Sequence, residues 1–458
     1  MNGEINTVRW ALGMAVLTVA VGCEAEPYGT GPAVYDDPIA HPDDGFIFSS
    51  ERINRIDLEI GDDALEILAS QRLLSYPRDK VRAEGMIDGE PLAEVGVRLR
   101  GGLGSFTPFD TKPKLEIDLN LFTGDRFHGL ESLSLNSMSE DCSGLVEAVG
   151  FAAYGKMGIP TSRTGYAQLF VNGEDYGLYL VVESQDDRWL KRNFEDRSGN
   201  LYDGKYVYSG YWPTIVDFGK GLDHWFDLEE GEDVDFEDIG TISREVKRAE
   251  NSGKLSSEMW SLVDWEALMA FLLVEEWIIN EDGYAQGPNN YRVYFDPEGP
   301  MVVIPWDLDS AFPLRLDEDG ENLAVRVTDA EMENWREPEA SLARVCHADP
   351  VCRDVWKELR PEVNAVLMDG ELLALAEQLH ALIDEGLRGD PRKQTPADSP
   401  CGVPTKAHAE AMLDYLATGE AKRGSSQGCA HAGHRTTAPF LVGIALALVS
   451  TRRRRSRG

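Results

Sequence analysis

The sequence predicts an α+β chain with a two-lobed body and helices added toward its C-terminus. Three observations carry that expectation. In the first half of the body, apolar residues alternate with polar ones at the period of half-buried strands. The second half turns to stretches that are apolar at helical spacing. Between a Pro/Gly/Asp-rich stretch at residues 24–45 and a polar, small-residue stretch at 421–430 lie roughly 375 residues, enough for two lobes and helical additions.

In chain order, Val95-Gly-Val-Arg-Leu-Arg100 and Lys114-Leu-Glu-Ile-Asp-Leu119 read as strands, joined through a turn containing Gly101, Gly102, Gly104 and Ser105. Ser143 to Met157 reads as a helix, with Ser143 as N-cap and Gly158-Ile-Pro160 as its stop. Tyr166 to Val171 and Tyr176 to Glu183 flank Asn172-Gly173, a strong hairpin signal. The acidic stretch Asp227 to Asp238 reads as a solvated loop. Asp264 to Ile279 is a buried helix running into Asn280-Glu-Asp282-Gly283 and a loop to Asn289-Asn290. Tyr291 to Phe295 and Met301 to Pro305 are strands around Asp296-Pro-Glu-Gly299, and Trp306-Asp307-Leu308-Asp309 follows directly. Leu372 to Leu387 is an amphipathic helix closed by Gly389-Asp-Pro391. No internal repeat is found.

Both ends point to export. Arg9 precedes the apolar run Trp10 to Gly22, which lands on Cys23, the layout of a signal peptide over residues 1–23. The run is shorter than the about 20 residues of a membrane span. Ala20-Val-Gly22 before Cys23 resembles a lipoprotein cleavage box, with Ala20 where Leu is usual; lipidation of Cys23 and an ordinary cut nearby both stand. Residues 24–45 then read as a spacer. At the other end, Gly428-Cys429 precedes the uncharged stretch Thr436 to Thr451 and the cluster Arg452, Arg453, Arg454, Arg455 and Arg457. An apolar segment followed by cations halts transfer. This order over 421–458 resembles the MYXO-CTERM sorting tails of myxobacterial surface proteins, which implies that the tail is removed and that Cys429 is the processed position. A plain tail anchor gives the same compartment: the exported envelope or outer surface, held to the membrane by the lipid, the tail or both.

The formal net charge is −36, and residues 429–458 carry six arginines and no acid, so the body is more negative still. Such a surface repels phosphate backbones and excludes nucleic-acid binding. Setting aside Cys23 and Cys429 leaves Cys142, Cys346, Cys352 and Cys401, an even number in an oxidising compartment. Cys346 with Cys352 is the local disulfide expected; Cys142 with Cys401 would be the long-range one. A Cys346/His347/Cys352 metal site is the competing reading, poor in ligands.

The chemistry lies in the order of the second half: a buried helix, a loop with Asp282 and later Asn290, two short strands, then Asp307. Protein kinases use that order. One loop Asp handles the acceptor hydroxyl, a later Asn binds metal, and a post-strand Asp bridges metal to the nucleotide phosphates. Carboxylate and amide oxygens suit Mg²⁺ or Mn²⁺. The glycine turn with Lys112 and Lys114 would supply the other wall of a nucleotide cleft.

At these residues the chain resembles the spore-coat CotH kinase family. Arg98-Leu-Arg-Gly-Gly-Leu-Gly-Ser105, Lys112-Pro-Lys-Leu-Glu-Ile117, Phe170-Val-Asn-Gly-Glu174 with Gly177 to Glu183, Asn290-Tyr-Arg-Val-Tyr294 and Ile304-Pro-Trp-Asp-Leu-Asp309 carry the resemblance, in the family's order, over about residues 50–320. It implies an atypical kinase-like fold spanning 46–345, with a helical extension over 346–420. It also implies use of ATP and a divalent metal to phosphorylate Ser or Thr of secreted, envelope or coat proteins. Carried over, Asp282 is the catalytic-loop Asp, Asn290 and Asp307 bind metal, and Asp309 is the candidate second metal ligand. Lys112 is the nucleotide-side lysine with Lys114 in reserve. Arg100 and Glu183 join the ATP side, Glu183 without an assigned role. Two departures stand out. Phe312-Pro313 replaces a family glycine, and the loop between Asp282 and Asn290 is long.

Each feature has a plainer reading. Asp282, Asp307 and Asp309 could be turn residues, Lys112 and Lys114 edge-strand charges, and Arg98 or Arg100 partners of surface acids. Asp317-Glu-Asp-Gly-Glu-Asn322 hints at a calcium loop but lacks its ligand spacing and reads as a solvated turn. Three functions remain: a secreted protein kinase, a surface adhesion or scaffold protein of the same fold without turnover, and a metal-dependent phosphate-handling hydrolase. No Gly-x-Ser-x-Gly elbow accompanies the histidines, which disfavours serine hydrolysis.

Overall fold

Alternation along the early strands closes a barrel in the computed structural model, which describes residues 45–73, 78–102, 105–204, 206–209, 212–280, 282–312, 338–393 and 405–419. Cys23, Gly104, Pro313, Asp317 to Asn322, Cys401, Cys429 and both terminal segments lie outside the described residues. The barrel strands are β1 (Ile53–Glu59), β2 (Val81–Ile87), β3 (Glu90–Pro91), β4 (Val95–Leu99), β5 (Leu115–Asp118), β6 (Ser132–Asn136), β7 (Thr164–Val171) and β8 (Glu174–Glu183). They run in the order β1-β7-β8-β6-β5-β4-β2-β3, and β1 also pairs with β2, so the sheet closes on itself. Its interior is the first core: Ile56, Val97, Ile117, Leu135, Leu169 and Val181 all face it. Short α1 (Asp62–Ser70) lies between β1 and β2.

The outer face of β7 and β8 offers Tyr166, Leu178, Leu180 and Val182 to a second, helical core. That core holds α2 (Val146–Lys156), α4 (Glu237–Ser252), α5 (Ser257–Leu262), α6 (Trp265–Trp277), α7 (Ser341–Ala348), α8 (Pro350–Leu367), α9 (Glu371–Arg388) and α10 (Thr405–Thr418). A short helix α3 (Asp187–Asn193) and the strands β9 (Asn200–Gly204), β10 (Tyr206–Ser209), β11 (Trp212–Ile215), β12 (Asp227–Glu230), β13 (Tyr291–Phe295) and β14 (Val302–Pro305) complete the fold. β12-β9-β13-β14 form a four-stranded sheet. The α+β class stands as the patterning indicates.

Two local expectations are corrected. Ser143 does not cap α2, which begins at Val146. Instead Asp141 accepts the N–H groups of Ser143, Gly144 and Val146, because a carboxylate placed ahead of the first turn reaches several orphan donors at once. The acidic stretch from Asp227 is not all loop. Residues Asp227–Glu230 form β12 against β9, and α4 starts at Glu237, two acids in its first turn matching the positive end of the helix.

Cys346 and Cys352 are joined by a disulfide where α7 turns into α8. Both sulfurs are thereby withdrawn from metal binding, so the Cys346/His347/Cys352 metal reading falls. Cys142 is also disulfide-bonded. Among the described residues no helix is long and apolar enough to cross a membrane.

Candidate functional site

The site forms where the hairpin of the small sheet meets the barrel. Tyr291 pairs with Pro305 at the open end of β13–β14, and the Trp306 N–H donates to the Asn290 carbonyl at 3.2 Å. That register brings Asn290 beside Asp307. Asn290 and Asp307 adopt φ of 54° and 46°, left-handed values that Asn and Asp tolerate better than other residues. Met138, Ile279 and Phe312 share this conformation, and for the bulky Ile279 it is costly.

Asp282 closes the triangle. Asn290 Nδ2 donates to its Oδ2 at 3.0 Å and to its backbone carbonyl at 3.1 Å, and Asn289 Nδ2 reaches the same carboxylate at 3.3 Å. With its N–H₂ turned to Asp282, the Asn290 amide oxygen is its remaining acceptor. The loop is held from below by buried Glu275 of α6, which accepts the N–H of Tyr284 at 2.6 Å and of Ala285 at 2.8 Å. Gly283 lets the loop approach closely: a Cβ there would lie 2.1 Å from Glu275 Oε1 and force that carboxyl to shift.

From the barrel comes Lys114, one residue ahead of β5. Its Nζ lies 2.5 Å from Asp309 and 3.6 Å from Asp307. Burial opposes the charge on Lys114, but Asp307 and Asp309 outweigh it and raise its pKa. Arg100 donates to Ser134 and lies over the Trp306 ring, 5.1 Å from its centre, with Arg292 at 4.5 Å. Arg100, Gly101, Lys114, Glu147, Trp306 and Asp307 line one cleft, with Leu135 and Val182 as apolar surface.

Electrostatics tie the group together. Glu140, Glu147, Asp282 and Asp309 all have pKa values above the ordinary carboxylate range, Asp309 at about 7. Burial is the largest cause in each, and in all four the charge of Asp307 adds to it. Asp307 is thus the hub of the acidic cluster, with its side chain 36% exposed to the cleft mouth. A divalent cation beside it would relieve all four repulsions. Hard oxygens suit Mg²⁺ or Mn²⁺, and Mg²⁺ commonly takes only one or two protein carboxylates and completes its shell with water and phosphate. Asp307 and the Asn290 amide oxygen fit that demand. Among the described residues no group of three or more His, Cys, Asp or Glu side chains is poised to hold a metal alone.

Three assignments change. Lys112 is not at the cleft: its Nζ donates to the Leu178 carbonyl at 2.7 Å and pairs with Asp390. Lys114, the reserve choice, is the lysine that lines the cleft. Glu183 is clamped by Arg163 at 2.7 Å and Arg192 at 2.5 Å; burial would raise its pKa, but the two guanidinium groups hold it at about 2. It braces the end of β8 and does not line the cleft. Asp309 is buried and committed to Lys114, so it orients the lysine instead of offering a free ligand. Among described turn residues, the Gly102 N–H is spent on Ser105 Oγ at 3.2 Å, and Gly101, at φ 91°, could carry no side chain without meeting the Ser105 carbonyl at 2.7 Å.

Glu140, Glu147 and Glu275 were not singled out by sequence. Glu147 had a signal: it is the one charged residue of an otherwise apolar run from Val146 to Tyr154, and such acids are rarely buried without a purpose.

Comparison with known proteins bears on this geometry. The family model CotH: CotH kinase protein matches residues 97–424, well over half of the chain. The inner spore coat protein H of Bacillus subtilis (strain 168) is 24% identical over 217 residues, covering 43% of this chain and 55% of that relative. The chain thus spans about half the length of the curated relative it matches.

Proposed function

The chain belongs to the CotH kinase protein family, and from that premise we propose that it is an exported, surface-associated protein kinase. It would transfer the γ-phosphoryl group of ATP to Ser or Thr of envelope or coat proteins. What supports the reading is that Asp282, Asn290, Asp307 and Lys114 come together from three separate elements: Asn290 donates to Asp282, and Asp307 neighbours both Asp282 and Lys114.

In this reading Asp307 and the Asn290 amide oxygen hold Mg²⁺ or Mn²⁺, whose charge offsets that of the phosphates. Lys114, kept cationic and oriented by Asp309, supports the phosphate oxygens, with Arg100 on the barrel side. Asp282, fixed by Asn289 and Asn290, accepts the acceptor hydroxyl proton. The hydroxyl oxygen bonds to the γ-phosphorus, the bond to the β–γ bridging oxygen breaks, and ADP departs with that electron pair. The burial that raises the pKa of Asp282 makes it a better proton acceptor than a solvated Asp. The relative's name, a spore coat protein, supports a substrate in a surface layer. A lipid on Cys23, the residue 421–458 tail or both would hold the protein at the membrane.

One observation favours a second reading, a binding protein of the same fold without turnover. Phe312, where the family carries glycine, is held at φ 45° against the Trp277 and Tyr415 rings. Two variants separate the readings. Asp307→Ala should weaken Mn²⁺-dependent ATP binding in calorimetry. Asp282→Ala should keep that binding while phosphoryl transfer falls about 10²-fold or more. Transfer at the wild-type rate by both variants refutes the assigned roles. ATP binding by the wild type without any transfer selects the binding protein.

A further inference from the structure

We propose that the four residues Asp390 to Lys393, which follow α9 and its cap Gly389, form a latch that positions the cleft by gripping the Lys114 strand and the Glu140 loop together. Its consequence for nucleotide binding rests on the function proposed above; its geometry does not.

Three side chains of this short turn reach three different segments. The Asp390 side chain is fully buried, and its Oδ1 accepts the N–H groups of Arg392 and Lys393, each at 2.9 Å, which sets the turn. Its Oδ2 accepts from Lys112 and from the Leu178 N–H at 3.0 Å. Arg392 lies on the Tyr176 ring at 3.5 Å, donates to the carbonyls of Asp110 and Thr111 at 3.1 and 2.6 Å, and pairs with Glu174. Lys393 Nζ donates to the carbonyls of Met138 at 3.1 Å and Asp141 at 3.0 Å.

Two of the three grips, those of Asp390 and Lys393, end close in sequence to Lys114 and Glu140. Lys112 precedes Lys114 by two positions, so in an extended segment the two side chains share a face and anchoring one sets the reach of the other. Lys393 ties down both sides of Glu140, and the Asp141 that it holds caps α2, which carries Glu147. Position 177 is shaped to admit the latch: Gly177 has φ 90°, and a Cβ there would sit 2.1 Å from Asp390 Oδ1. A buried ion pair is a poor means of adding stability, because desolvation consumes most of its Coulombic gain, but it tolerates little displacement. Apolar packing would have docked the end of α9 equally well. The charged grip sets its register relative to the cleft.

Lys393→Met, Lys393→Arg, Asp390→Asn and, as a control, Asp384→Asn at the surface pair with Arg388 test this. Amide hydrogen exchange and Mn²⁺–ATP calorimetry are measured on the full chain. Lys393→Met should raise exchange at least tenfold at 137–142, and Asp390→Asn at 112–117. Both should weaken nucleotide binding about tenfold, Lys393→Arg should retain most of it, and Asp384→Asn should match wild type. If Asp390→Asn does not fold, Lys393→Met decides. Unchanged exchange at both segments overturns the latch, as does a rise spread evenly over α6 as well. Looser segments with unchanged nucleotide affinity overturn its positioning role. If the wild type binds no Mn²⁺–ATP, the proposed function fails, and exchange alone then decides the latch.

Discussion

Replacing Glu275 by Gln should remove a defined part of the pH dependence of stability. Glu275 is wholly buried beneath the loop that carries Asp282, and burial pushes its carboxyl from 4.5 to about 8, the N–H groups of Ala285 and Tyr284 pulling it back only in part. Because the native pKa lies above the unfolded one, the native state keeps a proton that the unfolded chain releases between those values. The stability from this group is therefore full below pH 4.5 and is lost as pH rises toward about 8. One unit corresponds to about 1.36 kcal/mol, so raising the pH from about 5.5 to about 7.5 should cost about 2.7 kcal/mol through Glu275. Gln cannot ionise. Its N–H₂ must face one of the two amide donors, a cost of about 1–3 kcal/mol that is the same at every pH and adds no slope of its own. Asp186, Glu230 and Asp309, raised to about 7, titrate in the same window but are common to both proteins. Urea unfolding of wild type and Glu275→Gln at the two pH values should show the wild type losing about 2.7 kcal/mol more than the variant. Equal losses in both proteins refute the buried, protonated state of Glu275.

Gly283→Ala drives a Cβ into Glu275 Oε1 and, at 2.6 Å, Asn280 Nδ2, so the thermal midpoint should drop by an amount matching about 1–3 kcal/mol. On the proposed function, transfer should fall further than nucleotide affinity, because the loop displaced carries Asp282. At Phe312, with φ 45°, glycine relieves backbone strain that alanine keeps. Phe312→Gly should therefore be less destabilising than Phe312→Ala in chemical denaturation, the reverse of the order in ordinary helix or strand. Joint replacement of Cys346 and Cys352 by Ala opens the bridge that closes their short loop. It should cost about 2 kcal/mol, and peptide mapping of the native protein should recover the two cysteines linked.

What was legible in the sequence is what is local in the chain. Asn290 and Asp307 sit at the two ends of one hairpin, so recognising the strands also set their spacing, and Asp282 lies only eight residues before Asn290. The barrel strands with clean alternation, such as Val95–Leu99 and Leu115–Asp118, were legible for the same reason. The Asp227–Glu230 strand was not, because Asp-Leu-Glu-Glu has no strand pattern of its own and exists by pairing with β9. Nor could spacing separate Lys112 from Lys114, since residues two apart fall on the same face of an extended segment.

The choice between those lysines shows where the remaining information lies. Both are buried at 6% exposure, and each buried ammonium requires a carboxylate partner. The partner of Lys114 is Asp309, 195 residues on, and that of Lys112 is Asp390, 278 residues on. A single sequence of this composition, with 80 acids against 44 Lys and Arg, offers every cation many possible partners, so charge complementarity alone decides nothing. The fold decides by placing the β14 end against one lysine and the α9 end against the other. The lysine that meets Asp307 then serves the cleft. The lysine that meets Asp390 ties the C-terminal helices to the strand that serves it, so a substitution at Lys112 should weaken the cleft from outside it.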